Sequence, residues 1–425
     1  MRAALWLMAL FAIAVASALF AGNNHGTVTV YWHPYRVDLS LNLVLLLLVA
    51  SFVLLHGAMR AMSALLNIPQ QARSWRLLQK ERAMHVALLE ALSHLFAGRY
   101  VRSRKAAELV VSLEESVERS GEHLPYAGRL RSLSHLLAAE SAHALQNRSV
   151  RDAHFKQALE ESERRDASEV RDGVHLRAAR WAFEDRDAGA ALEWLDQLPH
   201  GAARRTAALR LRFKAARLAG QTLVALDTVR LLTKHRAFSE VAGKSIARGL
   251  ALEMIRTAYD PVQVQRAWSA LDRSEQGLPE VAVAAAEQLL KYDGEAVMAR
   301  SWLLPVWDAM VLHRDALTTI QRVRLVQVLE KSFDATGGTP DAAWLARIEA
   351  AQMANPRDTV LQYLAGVVCM RLSLWGKAQQ LLKQSLALQD DSELRRDAWL
   401  AIAHLAERRQ DGVAATDAYR EAAKR

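Results

Sequence analysis

The histidines and the single cysteine are the residues of this chain best suited to metal or redox chemistry. Cys369 lies in an apolar helical run, where a thiol usually packs as a small hydrophobic side chain. His85 and His94 are nine residues apart, a spacing that places them on opposite sides of a helix. His135 and His143 are eight apart and share a side only roughly. These patterns indicate surface or capping histidines, and we expect no metal site.

Motifs that cradle phosphates or bind dinucleotides do not occur in the sequence. Neither G-x-G-x-x-G nor G-x-x-x-x-G-K-[ST] is present, and Gly337-Gly338 is followed by Thr339-Pro340. A lone cysteine rules out an intramolecular disulfide and cysteine-rich metal clusters. The carboxylate run Glu160-Glu161-Ser162-Glu163 is typical of a solvated helix face. We therefore expect no catalytic residue, no cofactor and no enzymatic activity.

The composition predicts an all-α protein. Hydrophobic residues make up 51% of the 425 residues but aromatic residues only 7%, and there are only 9 prolines. Alanine and leucine interleaved with arginine and glutamate favour helices over strands. The net charge of +9 is spread over this mixed surface, without the clusters of basic and aromatic residues that bind nucleic acid. We therefore expect no nucleic-acid partner.

Two uncharged apolar runs lie near the N-terminus, at residues 3–21 and 39–59. Each is long enough to cross roughly 30 Å of hydrocarbon, which predicts two transmembrane helices. Residues 1–60 would then form a membrane anchor, with residues 22–38 as an outside hairpin. The first run is alternatively a signal peptide, because Ala16-Ser17-Ala18 resembles a cleavage site. Its length and its single preceding arginine favour an uncleaved span.

The charges flanking the second run predict its orientation. Basic residues follow it at Arg60, Arg73, Arg76, Lys80 and Arg82. Because positive residues stay inside, the chain from residue 61 onward is expected in the cytoplasm. In the outside segment, Tyr31, Trp32 and Tyr35 fit an aromatic belt at the outer interface or, alternatively, a small packed β-hairpin.

From residue 61 onward the pattern is helix, turn, helix. Breaks such as Asn67-Ile68-Pro69, Gly173 and Pro305 predict helices of roughly 10–18 residues. The predicted segments are a basic juxtamembrane helix over 61–84, tetratricopeptide-like helical pairs over 85–260, an irregular helical segment over 261–345 and C-terminal tetratricopeptide repeats over 346–425.

The C-terminal pairs match the tetratricopeptide pattern best. Gly366 and Ala378 are small residues that let two helices approach closely, and Trp375-Gly376 is predicted to fill the turn between them. The predicted repeat signature is Gly366, Trp375, Gly376, Ala378, Trp399, Ala403, Ala415 and Tyr419. The resulting fold is two transmembrane helices followed by a tetratricopeptide-like α-solenoid; a plain helical bundle with accidental matches is the alternative.

This layout resembles the HemY-type inner-membrane proteins of proteobacteria. The resemblance is carried by Thr27–Trp32, Ala97-Gly98-Arg99-Tyr100 and Leu374-Trp375-Gly376-Lys377-Ala378-Gln379. It implies a multi-pass protein of the bacterial inner (cytoplasmic) membrane, with a large C-terminal domain in the cytoplasm and an association with a late step of haem synthesis. It transfers no catalytic residue. An unrelated flavin-dependent oxidase shares the name, and it would need the glycine fingerprint that this chain lacks.

The leading hypothesis is a membrane-anchored tetratricopeptide scaffold that organises or regulates enzymes of a late step in haem (porphyrin) biosynthesis. Its partners are then the lipid bilayer and haem-pathway enzymes bound in the repeat groove. A general envelope-assembly scaffold unrelated to haem and a porphyrin-binding protein are the alternatives. The motifs leave open which partner binds, which groove residues hold it and what the oligomeric state is.

Overall fold

A computed structural model describes the backbone of residues 26–313, 315–334, 342–387 and 391–424, with a few positions between 8 and 22. Side chains of residues 64–73 lie outside this description. The chain divides into two compact units, residues 1–170 and 171–425.

The first unit begins with a two-stranded antiparallel hairpin, β1 (Thr27–Trp32) and β2 (Tyr35–Ser40). Alternating threonine and valine in β1 suit an extended strand. Tyr31, Trp32 and Tyr35 are exposed at the hairpin tip. The β-hairpin alternative for this segment is therefore confirmed, although its aromatic side chains are exposed and not packed.

Helix α1 (Leu41–Phe96) follows β2 directly and is one continuous helix of 56 residues. The Ser40 hydroxyl accepts a 3.3 Å hydrogen bond from the Leu43 N–H, which caps the helix start. Within the described residues, Leu41–Ser63 is the one segment long and apolar enough to cross a membrane, and it corresponds to the predicted span at 39–59. The predicted span at 3–21 lies largely outside the described residues.

The predicted break at Asn67-Ile68-Pro69 is wrong. Helix α1 runs through Pro69, so residues 61–84 are its middle part and lead directly into the first helical hairpin. The fixed φ of proline is itself helical. Within a long helix, proline therefore removes one hydrogen bond without having to end the helix.

The remaining helices of the first unit stack in chain order. They are α2 (Tyr100–Glu118), α3 (Ala127–Ala144) and α4 (Arg148–Ser162), followed by a 3-10 turn (Arg165–Ala167). The C-terminal half of α1 packs against α2, α2 against α3, and α3 against α4. Buried alanines at Ala91, Ala107 and Ala138 let α1, α2 and α3 approach closely.

A buried arginine joins three of these helices. Arg131 on α3 lies 3.3 Å from Glu114 and 2.9 Å from Glu118 on α2, and 3.5 Å from Glu161 on α4. Burial raises the pKa of the Glu114 carboxyl, while the positive charge of Arg131 acts in the opposite direction. The packing of this unit therefore includes a buried network of opposite charges that links three helices.

Helices α5 to α20 complete the chain. They are α5 (Ser168–Glu184), α6 (Ala188–Asp196), α7 (His200–Ala203), α8 (Thr206–Leu218), α9 (Thr222–Lys234), α10 (Glu240–Arg256), α11 (Pro261–Ser269), α12 (Arg273–Gln276), α13 (Pro279–Lys291), α14 (Ala296–Leu312), α15 (Thr319–Asp334), α16 (Ala342–Ala354), α17 (Thr359–Arg371), α18 (Trp375–Ala387), α19 (Ser392–Arg408) and α20 (Gly412–Ala422). The predicted breaks at Gly173 and Pro305 are wrong, because these residues lie inside α5 and α14. Isolated glycine and proline weaken a helix, but tertiary packing overrides this preference.

The second unit has an apolar and aromatic core. Trp307, Phe333 and Tyr363 are among its largest fully buried side chains. Trp268 and Trp302 stack with ring centroids 4.8 Å apart. One continuous cluster of buried side chains extends from α11 to α20, so the helices of the segment predicted as irregular share a core with the C-terminal hairpins.

The same turn closes helical hairpins along the whole chain. A residue with positive φ follows the first helix, and the next backbone N–H donates to the carbonyl five residues back at 2.8–2.9 Å. The positive-φ residues of these turns are Gly98, Gln146, Arg186, Gly220, Arg236, Asp293, Ser373 and Gln410. This repeated closure of stacked antiparallel helices is a tetratricopeptide-like α-solenoid.

The turn predicted at Trp375-Gly376 lies elsewhere. Ser373, with φ of 61°, supplies the left-handed residue, and Trp375 and Gly376 already belong to α18. A left-handed conformation costs a serine roughly 1–2 kcal/mol. The closing hydrogen bond from the Leu374 N–H to the Cys369 carbonyl, at 2.9 Å, helps to offset this cost.

Candidate functional site

A groove lies on one face of the C-terminal hairpins and encloses about 1190 Å³. Most of its lining comes from α15, α17 and α19. These helices contact one another in sequence, α15 with α17 and α17 with α19. The groove is thus built from alternate helices of the solenoid, as expected of a repeat surface that binds partners.

Helix α19 supplies one wall through side chains at regular spacing. Glu393, Asp397, Leu400, His404 and Glu407 follow one another in steps of four, three, four and three residues. This spacing puts them on one helix face. The opposite face of α19 carries the buried residues Ala398, Ile402 and Leu405. The helix is therefore amphipathic, and its polar side faces the groove.

Hydrogen bonds between helices fix the floor of the groove. The buried Tyr363 hydroxyl on α17 donates to Glu330 Oε2 on α15 at 2.6 Å. Gln327 Nε2 on α15 donates to Asp397 Oδ2 on α19 at 2.8 Å. These bonds hold the three lining helices at a fixed separation, so the groove is preformed.

Burial changes the acidity of the floor groups. It raises the pKa of Glu330, while the hydrogen bond from Tyr363 and the charge of Arg371 act to lower it. Burial and the neighbouring Glu330 carboxylate raise the pKa of Tyr363 well above its ordinary value. Tyr363 therefore stays protonated near neutral pH and remains a hydrogen-bond donor to Glu330.

The rim carries charges of both signs, with an excess of carboxylates. The lining carboxylates are Glu287, Glu330, Asp334, Glu393, Asp397 and Glu407, and the lining cations are Arg324, Lys331, Arg371 and Arg408. Among the described residues, Arg324, Glu393 and Arg408 make no ion pair. These three exposed groups are available to a partner, and the carboxylate excess favours a segment rich in lysine or arginine.

A second cavity, of about 1400 Å³, lies beside α9 and α10. Its central cation, Arg230, is bound by Asp227 at 2.8 Å, Asp272 at 3.2 Å and Glu275 at 2.5 Å. Its hydrogen bond to Glu275 raises the pKa of Arg230. Because Arg230 is used to join helices, this cavity is a weaker candidate for partner binding.

The residues of the predicted repeat signature form no common site; Gly376 is exposed with open space around it, and the others pack at or near helix contacts. A Cβ added to Gly366 would lie 2.8 Å from Leu382 Cγ, so Gly366 marks the close approach of α17 and α18. Ala378, Ala403 and Ala415 are buried, and Trp399 and Tyr419 pack against the core. Trp375 alone among them lines the groove.

The sequence patterns did not identify the groove residues or one histidine pair. His135 contacts His154 and not His143, the histidine nearest to it in spacing along the same helix. The Nδ1 atoms of His135 and His154 lie 3.1 Å apart. His154 Nε2 lies 3.4 Å from Glu108 Oε1. The two histidines lie on neighbouring helices, α3 and α4, so spacing along one helix does not reveal the pair. Across the described part of the chain, no group of three or more metal-ligating side chains lies together.

The N-terminal region matches a known protein family. Residues 26–146, from the β-hairpin to the end of α3, match the family described as HemY protein N-terminus. The resemblance predicted from the sequence is thereby confirmed over these residues. None of the curated proteins matches the chain significantly.

Solved structures with some similarity are helical repeat proteins. The crystal structure of yeast Tom70 matches with a TM-score of 0.31 and 15% identity, covering 79% of this chain and 67% of that one. The crystal structure of the APC/C hetero-tetramer Cut9-Hcn1 matches with a TM-score of 0.29 and 12% identity. The match covers 80% of this chain and 66% of that one, so this chain spans just under two thirds of the length of the matched chain. The crystal structure of the P58(IPK) TPR domain matches with a TM-score of 0.22 and 14% identity, covering 77% of this chain and 99% of that one. With scores this low, the fold assignment depends on the hairpin geometry described above.

Proposed function

From the match of residues 26–146 to the HemY N-terminus family, we propose that this chain is a membrane-anchored scaffold of the HemY type. In this proposal, Leu41–Ser63 and the apolar run at 3–21 anchor the chain in the bacterial inner membrane. The solenoid then holds enzymes of a late step in haem or porphyrin synthesis in the cytoplasm. It supplies binding surfaces to those enzymes and no catalytic residue of its own.

The C-terminal groove is the observation that supports this function most directly. It is preformed by the Tyr363–Glu330 and Gln327–Asp397 hydrogen bonds, and it presents unpaired charges at its rim. Such a surface suits a helical or extended segment of another protein. The haem-pathway identity of that protein comes from the family resemblance, and it needs a separate test.

Capture from membranes tests the groove. Tagged full-length chain is purified in detergent, and co-purifying porphyrin-handling enzymes are quantified for the parent and for two charge-reversal variants. Glu393→Lys places a cation at the carboxylate-rich rim. Asp417→Lys is the control, because Asp417 is exposed on α20 and, within the described residues, its one ion pair is with Arg420 at 3.1 Å. We expect at least about tenfold less captured enzyme with Glu393→Lys, as loss of one complementary charge contact implies, and no change with Asp417→Lys. Equal capture by both variants would remove the groove from the proposal.

The porphyrin profile of cells lacking the gene tests the haem association. Accumulation of a late porphyrin intermediate supports it. A profile equal to that of the parent strain would favour a general envelope-assembly scaffold. A porphyrin-binding role has its own test: haem titrated into the purified chain would then shift its Soret band.

Labelling tests the topology. Thr29→Cys places a thiol on the hairpin before α1, and Ala83→Cys places one on an exposed site after the proposed span. A membrane-impermeant maleimide added after outer-membrane permeabilisation should label Thr29→Cys and leave Ala83→Cys unlabelled. The reverse pattern would invert the proposed orientation. The native Cys369 is buried and adds little background.

A further inference from the structure

Helix α1 is apolar on two opposite sides, and only one of them is covered. Met84, Ala87 and Ala91 are buried against the rest of the first unit. On the opposite side, an exposed row consists of Trp75, Leu78, Val86, Leu89 and Phe96, with exposed fractions from 51% to 85%. We call these five residues the outer stripe. Arg82 and Ser93, also exposed, fill its two gaps.

The spacing of the outer stripe is that of a helix-to-helix seam. With the two gap positions included, its members follow one another in steps of three or four residues from Trp75 to Phe96. At 100° per residue they fall within an arc of about 80°. A narrow apolar row with a mean step near 3.5 residues is the pattern of a coiled-coil seam. Five large apolar side chains left in water over this length indicate a surface that is covered in the assembled protein.

Lipid is a poor occupant for this row. Helix α1 is continuous, so Trp75 lies about 18 Å and Phe96 about 50 Å beyond Ser63 along the helix axis. Once Leu41–Ser63 spans the bilayer, the outer stripe extends away from the hydrocarbon. Its natural occupant is therefore another helix in the same compartment.

We infer that the outer stripe is the seam of a parallel homodimer, with α1 of a second copy as its occupant. Two copies anchored in one membrane carry α1 in the same direction and at the same depth. Identical stripe residues then lie opposite one another, which satisfies the two-fold symmetry of a closed dimer. This inference rests on the membrane anchoring of the proposed function but not on the groove or on haem.

Small residues in the membrane part of α1 continue the same side. On a straight helix, Gly57 and Ala61 fall within about 40° of Trp75. The two are four residues apart, the small-xxx-small spacing that lets transmembrane helices approach closely. A Cβ on Gly57 would meet no atom within 4 Å, so this side of the helix is open to a partner.

The single charge in the row is consistent with two strands. In a two-helix seam, the aliphatic stem of Arg82 can lie along the contact while its guanidinium reaches water. One charged residue at a core position weakens a coiled coil but favours a defined, low oligomeric state. Replacing Arg82 by leucine should therefore tighten the association.

Disulfide cross-linking in native membranes tests the inference. Cysteines are introduced one at a time at Trp75, Leu78, Leu89 and Phe96, and at Arg76 and Ala83 as exposed positions off the stripe. Copper phenanthroline oxidation should give a band at twice the chain mass at all four stripe positions, with yields about tenfold above those at Arg76 and Ala83. An antiparallel pair would cross-link near the middle of the stripe only. Equal yields on and off the stripe, or bands of another mass that signal a different protein, would overturn the homodimer.

Two further variants separate binding from folding. Leu78→Glu and Leu89→Glu lie on the exposed side, so helical content and thermal midpoint should stay unchanged. Because each change acts twice in a symmetric seam, the dissociation constant in detergent should rise at least about 100-fold. Arg82→Leu should lower it. If the stripe is covered by another part of the same chain, its cysteines resist maleimide and the glutamate variants unfold, which also overturns the inference.

Carbonate extraction of the same membranes distinguishes failure of the proposed membrane anchoring from failure of the proposed homodimer. A chain that is released into the supernatant contradicts the anchoring on which the proposed function depends. A chain that stays in the pellet but gives no stripe-specific cross-link contradicts the homodimer alone.

Discussion

The first unit and the C-terminal half of the second unit both stack helical hairpins on apolar contacts, but the first unit adds a buried network of charged side chains that joins three helices. In the first unit, Arg131 bridges three helices through carboxylates, and the His135–His154 pair joins α3 to α4. In the C-terminal hairpins, the contacts are mainly apolar and aromatic, with Trp307 and Phe333 fully buried.

This difference predicts different responses to mutation and pH. A charged contact fails when one partner is removed, because the remaining charge is left buried without compensation. An apolar contact fails when its shape changes, because interiors are close-packed. The same solenoid geometry is therefore compatible with two kinds of stability, and each can be tested within one chain by hydrogen exchange of the full-length protein in detergent.

Arg131→Met should give the largest effect. It leaves Glu114 and Glu161 in a site with little water, and removal of one member of such a network costs about 3–5 kcal/mol. Amides of α2, α3 and α4 should lose protection while those of α17 to α20 keep it. Arg129→Met is the control, because Arg129 is 45% exposed and pairs with Glu169 at 3.2 Å. A similar loss of amide protection in both variants would mean that the buried network contributes no more stability than the exposed Arg129–Glu169 ion pair.

Gly366→Ala should destabilise the C-terminal hairpins by about 1–3 kcal/mol, as overpacking does. The new methyl would lie 2.8 Å from Leu382 Cγ, and Leu382 is fully buried and cannot move aside. Gly376→Ala provides a matched control with the opposite sign. Gly376 lies in α18 with open space around it, so alanine should stabilise by about 0.5–1 kcal/mol. Equal protection of α17 and α18 in the two variants would contradict the close approach.

Tyr363→Phe tests the polar contact inside the mainly apolar half. Glu330 would lose its 2.6 Å donor in a buried position, at a cost of about 1–3 kcal/mol. The comparison variant is Tyr419→Phe, whose exposed hydroxyl donates to Glu407 at 3.0 Å. We expect Tyr419→Phe to change the free energy of unfolding by no more than about 0.5 kcal/mol. If Tyr363→Phe were equally neutral, the groove floor would not be held by this bond.

Acid should weaken the first unit selectively. Burial, with His154 and Arg131 nearby, lowers the pKa of His135 from its ordinary value to about 4. The folded state therefore keeps His135 neutral, while the unfolded chain takes up a proton near its ordinary pKa. The resulting stability is present above that value and is lost as pH falls toward 4.

Between pH 7 and pH 5, the protection of α3 and α4 should fall by on the order of 1 kcal/mol, and that of α17 to α20 should change less. His135→Phe should flatten this dependence. His123 is exposed, so the control variant His123→Gln should leave the pH dependence of amide protection unchanged. An unchanged pH dependence in His135→Phe would assign the acid sensitivity to other groups.

Some elements of this fold are encoded locally and were predictable. The close approach of α17 and α18 follows from Gly366 and Ala378, because a missing or small side chain at helical spacing permits close packing. The apolar run at residues 39–59 is visible from hydropathy alone. The β-hairpin was one of two open alternatives, since short strands and interfacial aromatic segments share the same composition.

Other elements depend on contacts between distant residues. The turn before α18 uses Ser373 and not a glycine, because the closing hydrogen bonds of the hairpin enforce a left-handed residue there. Pro69 does not end α1, because helix continuity is decided by the whole element. The groove residues Glu330, Tyr363 and Asp397 come from three helices, and no single segment contains a pattern that relates them.

The continuity of α1 also determines how the first hairpin is presented. At 1.5 Å per residue, the 56 residues of α1 form a rod about 84 Å long, with no flexible linker between the proposed span and α2. A flexible tether would let the hairpin sample a hemisphere above the membrane. A rod instead sets its height and restricts its orientation, so a client that diffuses in the same bilayer meets the hairpin at a nearly constant elevation.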